Sequence, residues 1–310
     1  IINIEKVEKS IVATKKGNLS ILEVIPMNLM IRPEDEKESI IAGFQKFLNS
    51  LDFPIQFHVS SHPISVRMHL KDLENKMKDK QELFESYCTF LKGTIESNNI
   101  KNRRFYVIIH EKYDLAIQTQ VCKEKLESLG LKVRTLAGDT LLKMFYEYIA
   151  DNQQKKLQDD QEIEEYMHFL LSPQKVVFYS DYFEIDKKYC KVIAVTGYPH
   201  TVEIGFLDKI ISSGENYDVS IHIEPFPIND TMIQLNRELQ KQQADLYADS
   251  KKGILNPSLD IKFASTRKVL EDLQKGKQKL FHVSLYIMCK GTTKGEVDVL
   301  AKKVKADLDG

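Results

Sequence analysis

Charge of one sign is missing from this sequence. Its 44 basic side chains are matched by 45 acidic ones, a formal net charge of −1, so no global field draws the chain to nucleic acid or to an anionic membrane. Any such binding needs a local patch. Long apolar runs are missing too: no stretch approaches the roughly 20 apolar residues that span a bilayer, and the N-terminus lacks the basic-then-apolar layout of a signal peptide. Cysteine is scarce. Cys88, Cys122, Cys190 and Cys289 are far apart and form no CxxC pair, so neither a zinc knuckle nor a disulfide framework is indicated and buried free thiols in a reducing cytoplasm are expected. The phosphate-cradling pattern GxxxxGK[ST] is absent, as are GxGxxG, GxSxG and HExxH. Gly291-Thr292-Thr293-Lys294-Gly295 has the composition of a phosphate loop but not its spacing. No catalytic residue and no cofactor is therefore assigned to this chain.

What is there is alternation. Two β-rich runs, 10–14 and 18–25, flank Lys15-Lys16-Gly17-Asn18, a turn composition that favours a hairpin. Pro33 followed by Glu34, Asp35 and Glu36 marks a helix start, and Ile40, Ile41, Phe44, Phe47, Leu48 and Leu51 give that helix one apolar stripe. Residues 54–60 alternate as a half-buried strand. Helical spacing returns over 66–98, and then come a strand at 104–110, a helix at 114–130 closed by Gly130, a short strand at 131–136 and a helix at 138–149. After a polar stretch at 151–165 the order repeats. Residues 176–185 and 190–198 form a hairpin around Asp186-Lys187-Lys188, 202–213 a short helix, and 217–224 an alternating strand. Residues 229–276 form two helices broken at Gly253 to Pro257, 281–290 a strand and 296–308 a last amphipathic helix.

With 310 residues the chain exceeds what one core usually serves. The expected fold class is α+β (mixed α/β): two similar modules, each a mixed sheet covered by helices with a long helical insert. The expected boundaries are 1–150 for the first module, 151–174 for a polar linker and 175–310 for the second. In each half the strand after the first helix shows a polar face, Gln56, His58 and Ser60 in one and Ser220, His222 and Glu224 in the other. Part of each sheet is thus expected to stand open as a docking surface.

Three clusters invite a chemical reading. His222 and Glu224, two apart on one strand face, with His282 on another strand, have the residue types of a zinc site, but any polar strand face with histidines looks the same and solvent-facing residues are the favoured reading. Lys294, Lys302, Lys303 and Lys305, with Lys275, Lys277 and Lys279, make the nearest thing to a basic patch. No aromatics interleave with them as a stacking platform requires, so no direct nucleic-acid site is evident. Phe178, Tyr179, Tyr182 and Phe183 read as core and cross-strand pairs rather than a ligand cage.

The second half also carries a resemblance. The run Val195-Thr196-Gly197-Tyr198-Pro199-His200-Thr201-Val202, then Gly205-Phe206-Leu207, then Tyr217 to Pro225, then Leu235-Asn236-Arg237 and Lys275 to Ile287 resembles the N-terminal region of conjugative-transfer ATPases of the TraC/TraE, or VirB-four, class. In the first half Phe47-Leu48-Asn49-Ser50-Leu51-Asp52-Phe53-Pro54-Ile55-Gln56 looks like the TraC-like module found with them. The similarity covers most of 10–308 and is clearest over 176–290; His200 stands where the family more often has arginine. The resemblance implies the pre-motor region of a type IV secretion or conjugation ATPase. Such a region docks a motor domain, which uses ATP and magnesium, on inner-membrane transfer components at the cytoplasmic face of the membrane. It implies self-assembly through the motor, and the expected partner contacts are Tyr198, Pro199 and His200 with His222, Glu224, Gln56 and His58 of the polar strand faces. The chain starts at Ile1 without an initiator methionine and ends in Asp-Leu-Asp-Gly, so a longer polypeptide is expected. The alternative is a stand-alone adaptor that binds a transfer protein or single-stranded DNA.

Overall fold

The computed structural model describes residues 4–63, 70, 73, 81–97, 101–150, 175–199, 201–202, 204–276 and 278–309. In the first half these are β1 (Ile4–Glu8), β2 (Ile11–Thr14), β3 (Gly17–Ile25), α1 (Glu34–Ser50), β4 (Ile55–Pro63), α2 (Gln81–Ser97), β5 (Lys101–His110), α3 (Leu115–Ser128), β6 (Lys132–Thr135) and α4 (Gly138–Ala150). In the second they are β7 (Val176–Phe178), β8 (Phe183–Ile185), β9 (Lys188–Val195), α5 (Asp208–Ser212), β10 (Tyr217–Pro225), α6 (Ile228–Lys251), α7 (Pro257–Gln274), β11 (Phe281–Gly291) and α8 (Lys294–Asp309). The fold is α+β. The expected linker, 151–174, lies outside the described residues, as does much of the helical stretch expected over 66–98.

Local chemistry explains the elements. Asp114 caps α3 by accepting from the Ala116 and Ile117 amides, and Asn256 caps α7 by accepting from Leu259, with Pro257 in its first turn. The β8–β9 hairpin turns at Asp186 and Lys187, whose φ angles of 45° and 72° are those of a two-residue turn that matches strand twist. Strand β1 and the separation of β7 from β8 are not evident in the apolar pattern. The expected run 176–185 is broken where the Tyr179 amide bonds back to the Tyr182 carbonyl at 2.9 Å.

Two sheets are expected from the sequence; the strands of both halves instead lie in one, in the order β1-β2-β3-β5-β4-β10-β11-β9-β8-β7, with β6 beside β3. Every pair whose register is described is antiparallel. The order is the same read inward from either end: a three-strand meander, then the strand after the helical insert, then the strand after the first helix. Corresponding positions can be counted from the hairpin turns. Thr14↔Gly17 matches Ile185↔Lys188, so Leu19 matches Cys190, and Leu19↔His110 matches Cys190↔Lys290. Ile21 then matches Val192, Tyr106 matches Tyr286 and Ile108 matches Met288.

Compact units follow neither half. One takes Ile1–Asn28, Gln56–Ile221 and Ser284–Gly310; the other takes Leu29–Ile55 and His222–Val283. In the first unit, Val59, Ile193, Tyr217, Val219, Leu285, Ile287 and Cys289 pack with Val297, Leu300, Ala301 and Val304 of α8. A separate cluster joins Val7, Val12, Leu19, Ile21 and Tyr106 to Leu141, Met144 and Phe145 of α4. Burying such side chains is worth about 1.5–3 kcal/mol each. In the second unit α6 packs on α7, Phe47, Leu51, Leu270 and Leu273 are buried, and Lys279 Nζ donates to the Leu51 carbonyl at 2.9 Å.

Candidate docking face

The two halves of the sheet meet at β4 and β10, and they meet through polar groups. Gln56 Nε2 donates to Ser220 Oγ at 3.3 Å, and His58 Nδ1 shares a hydrogen bond with the same hydroxyl at 2.9 Å. Further along, the Ser61 amide donates to Asp218 Oδ1 at 2.8 Å and Lys290 Nζ reaches the same oxygen at 2.9 Å. Arg103 donates to the Tyr217 and Glu215 carbonyls, at 2.5 and 2.9 Å, and lies over the Tyr217 ring, 4.8 Å from its centroid. Burial pushes the Arg103 guanidinium below its ordinary range, opposed by Tyr217, Asp218 and Glu215. Burial also raises the Tyr217 phenol, against its bond to Ser213 and the Arg103 charge. A buried ion pair such as Asp218–Lys290, whose carboxylate is 2% exposed, contributes little net stability but penalises any other pairing of the strands.

The open-face expectation therefore fails on β4. His58, Ser60, Ser61 and His62 are buried; two of them meet polar groups of β10, His58 at Ser220 and Ser61 at Asp218. The pairing of Asp218 with Lys290 and the reach of Arg103 to Tyr217 and Glu215 are not evident in the sequence, since nothing local tells that residues so far apart meet.

The face is open further along, in the second half. Cys190, Val192 and Ala194 of β9 alternate with Ile193, which belongs to the α8 core. Across the register they pair with Lys290, Met288 and Tyr286. Val192 is 49% exposed and Tyr286 40%. Phe178, on the same face through its pairing with Phe183 and then Cys190, is 68% exposed. Phe178 and Tyr179 are thus surface side chains rather than core, because β7 is the last strand of the sheet. Tyr179 and Tyr182 stack at 4.4 Å, and Lys294 lies over the Tyr182 ring.

Of the other expected contact residues, Tyr198 is exposed at the end of β9 and its hydroxyl accepts from the Leu285 amide at 3.1 Å. Pro199 is exposed beside it and His200 lies outside the described residues. His222 is half-buried and Glu224 exposed, both on the part of β10 in the second unit, whereas Gln56 and His58 belong to the first. Among the described residues no group of three His, Cys, Asp or Glu could hold a metal ion; His282 instead meets the edge of the Phe226 ring. Cys122, Cys190 and Cys289 are buried free thiols and Cys88 is half-buried. Among the described residues no helix is long and apolar enough to cross a membrane.

A family model described as an archaeal TraC-like domain matches residues 5–171, more than half of the chain. This chain belongs to that family. The TraC-like match spans β1 to α4, the first half of the sheet up to the polar seam, whereas the sequence likeness is drawn most clearly over 176–290. No curated protein matches the chain. The second half nevertheless repeats the strand order of the TraC-like half around the seam.

Proposed function

We propose that the chain is a non-catalytic docking region of a conjugative-transfer or type IV secretion ATPase, of the TraC/TraE (VirB-four) class, seating a motor domain on inner-membrane transfer components at the cytoplasmic face. The observation that carries the reading is TraC-like membership joined to a sheet that repeats one strand order in both halves and has an exposed apolar face around Val192 and Tyr286. A scaffold of this kind needs a fixed frame and an adhesive face, and no reacting groups. ATP and magnesium belong to the motor in this reading, and self-assembly follows from the motor as well.

The adaptor reading with single-stranded DNA finds less support. Several lysines of the basic patch are already engaged: Lys303 pairs with Glu215 at 2.6 Å, Lys294 lies over Tyr182 and Lys279 bonds the Leu51 carbonyl. Steep salt dependence of binding requires cations available to phosphate.

The test has two arms. The purified chain is assayed for ATP binding and hydrolysis, where none is expected, and activity would overturn the assignment. It is also co-expressed with the inner-membrane proteins of a conjugation apparatus; it should fractionate with membranes only in their presence and lose that association in Tyr286→Asp.

A further inference from the structure

In the first half, the element that follows α3 covers the sheet. Strand β6 pairs antiparallel with β3 over Leu22 to Ile25, past the end of β2, and α4 then lays Leu141, Met144 and Phe145 over Leu19, Ile21 and Tyr106. Under it Ile21 is 1% exposed and Tyr106 2%.

Among the described residues the second half has the same platform without the cover. The matching side chains, Val192 and Tyr286, are 49% and 40% exposed. Strand β8 pairs with β9 only at Lys188, Tyr189 and Cys190, so among the described residues no strand lies along Ile193 to Thr196, the positions that match Leu22 to Ile25. A bare strand edge and an exposed apolar face, side by side, are what a strand followed by an amphipathic helix completes.

We propose that this half-site receives a strand–turn–helix segment of a partner protein. The strand adds antiparallel to β9 along Ile193 to Thr196, and the helix lays an apolar stripe across Val192, Tyr286 and Met288. The occupant's chemistry is set by the copy already present in the chain. A short β-prone run is followed by a turn and a helix with apolar side chains three and four apart, as in Leu141, Met144 and Phe145. One detail differs. Glu23, which pairs with Arg134 of β6, is matched by Ala194, so the partner strand needs no basic residue at that place. The inference rests on the docking reading for its biological setting and on the internal repeat for its physics.

The experiment displays a phage library on the frame of residues 130–150, with the strand positions 132–135 and the stripe positions 141, 144 and 145 randomised, and selects against the whole chain. Selected segments, made as synthetic peptides, should slow amide exchange at Ile193 to Thr196. They should lose about tenfold or more in affinity against Val192→Arg, a change at an exposed position that leaves the fold intact. Val299→Arg, exposed on α8, should bind as the parent does. Failure to enrich any segment, a footprint elsewhere, or unchanged affinity for Val192→Arg overturns the proposal. So does sedimentation showing a dimer that Val192→Arg dissolves, since the face is then covered by a second copy. Peptide binding without recruitment to transfer components would refute the ATPase reading alone, and recruitment without peptide binding would refute only the strand–helix occupant.

Discussion

Replacing Lys290 by methionine should destabilise the protein by about 3–5 kcal/mol, the cost of leaving a buried carboxylate without its counter-charge. Asp218 is 2% exposed, and after the change its only remaining donor among those described is the Ser61 amide at 2.8 Å. Asp218→Asn should cost less, about 1–2 kcal/mol. The amide oxygen still serves Ser61, its NH₂ takes the place of Oδ2, which has no hydrogen-bond partner, and Lys290, 17% exposed, can draw on water. In the double variant no charge is left buried, so its cost should fall below the sum of the singles by about 2 kcal/mol, within the range of coupled neighbours. Urea unfolding of the four proteins measures this, read from midpoints at unchanged slope. Additive costs would refute the claim that Lys290 neutralises Asp218 across the strands, and a single-variant cost near zero for Lys290→Met would refute the burial argument itself.

Other outcomes follow from the same geometry. Tyr217→Phe removes a buried hydroxyl that donates to the Ile210 carbonyl and bonds Ser213; thermal unfolding should report a loss of about 1–2 kcal/mol. Asp114→Ala, which uncaps α3, should cost about 1 kcal/mol in the same assay. Burial pushes the Cys122 and Cys289 thiols up to about 12 and Cys190 to about 11. Native protein at pH 8 should therefore present only Cys88 for rapid alkylation. The unfolded chain ionises these thiols from about pH 9 while the folded one holds them neutral, so it binds fewer protons there. Stability should fall as pH rises from about 9 toward 11, by about 1 kcal/mol per buried thiol per unit; a flat profile across that window, or its loss only on acidification, would contradict the burial of the thiols.

The repeat of hairpin, helix, strand, insert, strand and helix was legible because period and turn chemistry are local signals: Asp186-Lys187 announces a hairpin wherever it lies. That the two copies share one sheet was not legible. Pairing of β4 with β10 rests on Gln56 and His58 meeting Ser220, and a polar residue on a strand has the same pattern whether it faces water or a polar neighbour. The aromatic run at 178–183 was legible as cross-strand pairs, Phe178 against Phe183, but not in its exposure. Phe178 and Tyr179 have the composition of a core, but their burial depends on whether another strand follows, and β7 is the sheet's edge. Of the expected contact residues, Tyr198 and Pro199 do lie at the surface beside the open end of β9, while the exposed pair Val192 and Tyr286 was hidden inside ordinary alternation.

The polar seam also bears on how the chain comes off the ribosome. Ser61 and its partner Asp218 are 157 positions apart, so at roughly 5–20 residues per second β4 waits on the order of 10–30 s before β10 exists. Throughout that interval it is the unpaired margin of a half-built sheet, the kind of surface on which nascent chains stick to one another. Histidines and serines at 58, 60, 61 and 62, costly to bury in the finished protein, keep that margin wet until its proper neighbour is made.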